Sequence, residues 1–303
     1  MSAQRQLTST AAGGLNRNLP PMRLWAKAKR VGIWDPADIP LEKDREDWLS
    51  LSDLEREVLL HLTSLFQAGE ESVTLDLLPL IQVIASEGRL EEEMFLTSFL
   101  WEEAKHVDFF SRVLSEVFGQ NEDLSRFMTP SYQAIFYDAL PQALTALRED
   151  SSPVAQATAS VTYNMIVEGV LAETGYHSYY QMLTRNNLMP GIQEGIGYLK
   201  SDEARHIAYG VFLLSRLVIE NGDEVWEAIE RRMGELLPQA IMTIHELFGT
   251  YETMPFGLEV DELVGFATSQ FERRIKRIEK ARNQTMDDIL KVDTEAVVAE
   301  SNA

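Results

Sequence analysis

Two short stretches of this chain carry an acid and an imidazole three residues apart. Residues 101–106 read WEEAKH, with Glu103 and His106, and residues 201–206 read SDEARH, with Glu203 and His206. On an α-helix, residues three apart share a face, with Cβ atoms roughly 5–6 Å apart. A carboxylate and an imidazole so placed can hold one metal ion, and two such helices facing each other can hold two. A single Glu-x-x-His is a weak motif and is also what a solvated acidic helix face looks like. The rest of the chain must decide between the two.

The helices that would position these residues are marked by their ends. Ser52 and Glu55 form a capping box, and Leu59, Leu62, Phe66 and Val73 recur at helical spacing behind it until Gly88. A second long helix is expected from about Leu90 to Phe118, stopped by Gly119. A shorter one begins after Thr129 and Pro130. Ser152 and Pro153 open another, directed towards Thr184. Residues 185–191 break the chain, and further helices follow at about 192–219, 223–248 and 259–282. Period-2 alternation is scarce, so the class is all-α, a bundle of long antiparallel helices.

Folding the chain back at Gly88 places a residue near position 70 opposite Glu103. Glu70 and Glu71 stand there. The break near 187 lies about as far before Glu203, and the residue opposite falls near 170, beside Glu168. At about 1.5 Å per residue each hairpin runs roughly 25 Å out and back, so each acid returns to the level of its partner motif. The neighbours are apolar: Phe66 and Val73 about Glu70, Phe99 and Phe110 about Glu103, Ile166 and Val167 before Glu168. Acids on apolar faces are costly unless paired or metal-bound. The metal reading therefore prevails, with Glu70, Glu103, His106, Glu168, Glu203 and His206 as ligands.

Two pairs of acids and two imidazoles on bundle helices are the ligand set of ferritin-like di-iron and di-manganese carboxylate proteins. Oxygen and imidazole donors suit iron or manganese. Four carboxylates balance two divalent ions, and six side chains leave open positions, as catalysis requires. A ligating His usually gives its second N–H to a carboxylate or carbonyl. Asp202 is the candidate for His106. Glu102 is either the counterpart for His206 or a solvated helix acid. His61, His177 and His245 lack such partners and read as surface or core histidines.

Composition narrows the function further. The chain has 303 residues, 45% hydrophobic and 25% charged, with a formal charge of −21 and no cysteine. The acidity argues against nucleic acid and anionic membranes as partners. The absence of cysteine excludes thiolate sites and thiol catalysis, and fits a cytoplasmic location. No apolar run approaches the roughly 18–20 residues that span a bilayer. The first thirty residues are basic, with no acid before Asp35, and read as an arm over the domain surface. A single domain is expected over 1–285, followed by a polar, loose tail over 286–303.

The stretches AAGGLN (11–16), WDPADI (34–39), FQAGEESVT (66–74), EEAKH (102–106), SVTYNMIVEG (160–169) and DEARH (202–206) resemble the small subunit of ribonucleotide reductase. They resemble still more closely the ligand-binding oxidases related to it. The resemblance spans roughly 10–285 and implies a manganese–iron pair that activates dioxygen, a long-chain fatty acid at the metals, and a valine–tyrosine ether cross-link. A homodimer is expected as well. Carried onto this chain, it implies a manganese site of Glu70, Glu103 and His106, an iron site of Glu168, Glu203 and His206, and a cross-link from Val73 to Tyr163. Val73 shares a helix face with Glu70. Tyr163, five residues before Glu168, does not share its face in a regular helix. A distortion such as a π-bulge would bring it there; otherwise it is a core tyrosine.

Two departures weigh against a reductase subunit. The ordinary radical tyrosine, four residues after the first-site histidine, is Phe110 here, and no tyrosine follows Tyr251 to carry a radical out through the tail. A self-contained two-electron oxidase is the expected function. A radical-generating reductase subunit is the alternative, and iron storage or simple lipid binding a third.

Overall fold

The computed structural model describes residues 7–120, 122–291 and 298. Among these there are helices and connecting loops and no strands. Helix α1 (Pro20–Val31) is followed by α2 (Glu42–Ser50), α3 (Asp53–Asp76), α4 (Leu78–Ser86) and α5 (Leu90–Arg112). The α5 rod continues through one π-helical segment, Val113–Val117. Helix α6 starts at Pro130–Gln133 and runs through a π segment (Ala134–Ala139) into Leu140–Ala146. Helix α7 is composite: Pro153–Ser160 is α-helical, Val161–Ala172 π-helical, Glu173–Tyr179 α-helical and Tyr180–Thr184 π-helical. Helices α8 (Pro190–Asn221), α9 (Asp223–Phe248), α10 (Val260–Glu279) and α11 (Met286–Leu290) complete the chain.

The capping box is formed as expected: Ser52 Oγ accepts from Glu55 N at 3.3 Å, and Glu55 Oε2 accepts from Ser52 N at 2.8 Å. The stops at Gly88, Gly119 and Gly222 adopt φ of 73°, 63° and 75°, which costs glycine little. The helix expected to run unbroken from Ser52 to Gly88 is two helices. Pro79 stands in the first turn of α4, where it supplies no N–H to the preceding turn, so α3 ends at Asp76.

Helices α3 and α5 pack on each other, and the π-helical middle of α7 packs on α8, α9 and α10. These contacts bury one continuous core around α3, α5, α7 and α8. The basic arm is more than a surface cover. Its second half is α1, which buries Met22, Leu24 and Ala28 against α5 and α8. The first residues of the expected tail, Met286–Leu290, are helical. Thr285 caps α11, and Ile289 is buried; residues 292–297 and 299–303 lie outside the described ones.

Candidate metal centre

All six expected ligands meet in the middle of the bundle. Glu70 comes from α3, Glu103 and His106 from α5, Glu168 from the π-helical part of α7, and Glu203 and His206 from α8. All six are buried. They form two sets that share members: Glu70, Glu103, His106 and Glu203 in one, and Glu103, Glu168, Glu203 and His206 in the other, each with its donor atoms within 4.8 Å of one another. Glu103 turns Oε2 to His106 Nδ1 and Oε1 to His206 Nδ1, both at 3.4 Å. Glu203 likewise offers Oε1 to His106 Nδ1 at 3.6 Å and Oε2 to His206 Nδ1 at 3.4 Å. Glu70 stands only beside His106 (3.4 Å) and Glu168 only beside His206 (3.5 Å).

The donor atoms of this cluster are orphaned. Glu103 Oε2, Glu168 Oε1, Glu203 Oε2, His106 Nδ1 and His206 Nδ1 are buried with no hydrogen-bond partner. Such groups are rare in folded proteins and costly. All of them face the space between the two sets, and their oxygen and nitrogen chemistry fits a pair of manganese or iron ions.

The second imidazole nitrogens are held from outside. His106 Nε2 meets Asp202 Oδ2 at 3.3 Å, and His206 Nε2 meets Glu102 Oε2 at 2.9 Å. Glu102 is therefore a buried partner and not a solvated acid. The exchange is crossed, each histidine being served by the acid that precedes the other motif's glutamate. Arg205 ties the two together: Nη2 donates to Glu102 Oε1 at 2.6 Å and also to Asp202 Oδ1. Sequence reasoning missed Arg205, although it lies inside the SDEARH motif. Asn164, also missed, donates from Nδ2 to Glu168 Oε2 at 2.9 Å and receives Ser160 Oγ on Oδ1 at 2.9 Å.

Tyr163 reaches the centre, and the π-helix is the reason. Turns of a π-helix join i to i+5, so Tyr163 and Glu168 share a face over Val161–Ala172. The Tyr163 hydroxyl donates to Glu103 Oε1 at 3.1 Å or to the Val73 carbonyl at 3.2 Å. Phe110 stacks on Phe66 with centroids 5.0 Å apart. His61 is buried near Tyr251, His177 stacks on Phe266, and His245 is exposed; none joins the cluster.

Electrostatics reflect four acids crowded into a dry site. Burial, helped by the charges of Glu103 and Glu203, pushes Glu70 up to about 8. Burial and Glu203 push Glu168 well above the ordinary carboxylate range. Burial would also raise Glu103, but the two imidazoles beside it outweigh this and hold it low. Burial lowers both imidazoles, and their acid neighbours more than reverse this, led by Glu70 for His106 and Glu203 for His206. Metal-free folded protein thus holds more protons than the unfolded chain between 4.5 and about 8, and its stability should fall as pH rises through that interval. Bound ions displace those protons, so loaded protein should lack the slope. Thermal melts over this pH range, with and without metal, check this; parallel curves would contradict it.

A cavity partly open to solvent ends at Glu70, Glu168 and Glu203. Its walls are almost wholly apolar, with Leu62, Leu65, Phe136, Ile244, Leu247 and Phe248 among them.

The family model of the ribonucleotide reductase small chain matches residues 20–280. The chain belongs to that family. Membership makes it a di-metal oxidoreductase with the ferritin-like helical bundle of the reductase small subunit. Among solved structures of the family, the R2-like ligand-binding oxidase from Sulfolobus acidocaldarius is 37% identical, with a TM-score of 0.86 over 94% of this chain and 98% of that one. A tyrosine-to-phenylalanine variant of an R2-like ligand-binding oxidase, with an anaerobically reconstituted Mn/Fe cofactor, is 40% identical, with a TM-score of 0.84 over 90% of this chain and 98% of that one. The same kind of variant with the cofactor reconstituted aerobically is 39% identical, with a TM-score of 0.86 over 90% and 99%. No helix among the described residues of this family member is long and apolar enough to cross a membrane.

Proposed function

We propose that this chain is a dioxygen-dependent two-electron oxidase that binds a long-chain fatty acid beside a manganese–iron pair. The observation that carries the reading is the apolar cavity running to the carboxylate–imidazole cluster. A fatty acid matches both ends of it. Its chain would bury against Leu65, Phe136 and Leu247, and its carboxylate would supply the anion that the cluster lacks once both ions are trivalent.

Glu70, Glu103 and His106 would hold manganese, and Glu168, Glu203 and His206 iron, with Glu103 and Glu203 between the two. When bound, the pair supplies the activation of dioxygen. The protein's own part is to fix the imidazoles through Asp202 and Glu102, to exclude water with Phe66, Phe99 and Phe110, and to hold Tyr163 between Glu103 and the carbonyl of Val73. We infer that these last two become joined by an ether bond. The lack of a tyrosine at Phe110 speaks for oxidation kept within the chain and against a radical-supplying reductase subunit. A homodimer and a cytoplasmic location complete the reading, the latter in line with the absence of cysteine.

Denaturing extraction of purified protein, followed by mass spectrometry, should release a long-chain carboxylic acid. Substituting Leu65→Trp should reduce its recovery severalfold while leaving metal content unchanged. Finding no such acid in independent preparations would refute the ligand.

A further inference from the structure

A run of aromatic side chains leads from a ligand imidazole to solvent. Trp34 is buried, and its Nε1–H donates to Asp202 Oδ2 at 2.8 Å, the oxygen that also faces His106. Its ring lies nearly parallel to His106, with centroids 6.2 Å apart, and to Tyr198, 5.2 Å away. Trp101, on α5, is 46% exposed. Indoles and phenols are one-electron donors. An oxidised centre could therefore draw an electron from Trp34 and pass the hole outward, losing half of a two-electron oxidation.

Lys105 stands within this run. Its Nζ lies 4.3 Å from the Trp34 ring centroid and 4.4 Å from that of Trp101. The residue is buried, and Nζ donates to the Gly32 carbonyl at 2.5 Å and to Asp202 Oδ2 at 3.2 Å. These contacts fix the ammonium between the two indoles. We propose that Lys105 is an electrostatic insulator that keeps Trp34 and Trp101 reduced while the metal centre is oxidised.

The physical basis is the sign of the charge. A cation over an indole face stabilises the neutral ring and repels an indole radical cation, most strongly where water is excluded. Lys105, Arg205, Asp202 and Glu102 form a local set of two cations and two anions. Removing Lys105 leaves that set with a net negative charge beside Trp34, which favours the hole. Trp34 would then give one electron to the oxidised centre and its Nε1 proton to Asp202, leaving a neutral indolyl radical and a centre reduced by one electron. Lys105 is thus a positioning residue for charge and touches no substrate.

The purpose of this device rests on the oxidase reading, but its test does not. Zinc-loaded protein, redox-silent and without dioxygen chemistry, is exposed to photogenerated ruthenium(III) tris-bipyridine as a one-electron oxidant. Transient absorption reads the tryptophan radical, and peptide mass spectrometry reads oxidation at Trp34 and Trp101, with Trp25, Trp48 and Trp226 as internal references. Lys105→Met should raise oxidation of Trp34 and Trp101 over the references by roughly fivefold, in line with the cation–π energy scale. Lys105→Arg, which keeps the charge, should stay near the parent level. If Lys105→Met fails to fold, Lys105→Gln takes its place. Equal oxidation in parent and neutral variant, or an equal rise in the Arg and neutral variants, would overturn the proposal.

Discussion

Glu103→Ala should bind at most one metal ion per chain and lose dioxygen consumption by more than about 100-fold, beyond the 10–100-fold typical of losing an outer partner alone. The reason is geometric. One carboxylate turns an oxygen to each imidazole at 3.4 Å, so its removal takes a donor from both sets at once. It also leaves three ligand acids to balance two ions. The fold itself should survive. In the metal-free state Glu103 is held low by both imidazoles and accepts from Tyr163, so its removal costs favourable contacts. The metal-free variant should therefore melt lower than the metal-free parent while staying folded, and the rise in Tm on adding metal should shrink. Linkage sets the scale of that rise, about 2.7 kcal/mol at a hundredfold excess over Kd. Elemental analysis together with paired melts would decide it, and a variant still holding two ions per chain would remove Glu103 from the shared position.

Protein assembled with both metals in air should yield the peptides containing Val73 and Tyr163 as one species, lighter by two hydrogens than their sum. Coupling takes one hydrogen from a side-chain carbon of Val73 and one from the Tyr163 hydroxyl. It forms one C–O bond and releases two electrons and two protons, for which dioxygen would be the acceptor. The Tyr163 hydroxyl lies 3.2 Å from the carbonyl of Val73 itself and 3.1 Å from Glu103 Oε1, so both partners stand at the edge of the centre. Burial and the neighbouring acids raise the phenol well above its ordinary value, so it keeps its proton until it is oxidised. Metal-free protein and Tyr163→Phe should show only separate peptides, an all-or-none difference. Two separate peptides from fully metallated, air-exposed parent would leave Tyr163 a packing residue.

The buried cluster of four acids and two imidazoles was legible in the sequence because its logic is local. Glu-x-x-His needs only the helical repeat, and the partners Glu70 and Glu168 follow from counting residues back from a break. The same arithmetic misplaced the end of α3, because Pro79 acts at a position that periodicity alone does not mark. The face of Tyr163 was likewise open in the sequence. A π-helix over Val161–Ala172 is set by how α7 packs on α8, α9 and α10, not by the propensities of VTYNMIVEGVLA.

What the sequence determined by itself is the inventory and its periodicity: helices, capping box, four acids and two imidazoles set to cluster, and no cysteine. Spacing along one chain fixes which side chains share a helix face, and that needs no neighbour. The tertiary structure decided everything that crosses between helices. Glu102 was undecided until it met His206 across 104 residues of chain, and Arg205 reached Glu102 across 103. Trp34 joined Asp202 across 168, and Lys105 closed on the carbonyl of Gly32 across 73. The cavity belongs to no single segment, since its walls come from α3, α6, α7, α8 and α9 together. Side chains so far apart in sequence have no correlated position until the bundle packs, and only packing removes the water that otherwise screens their charges.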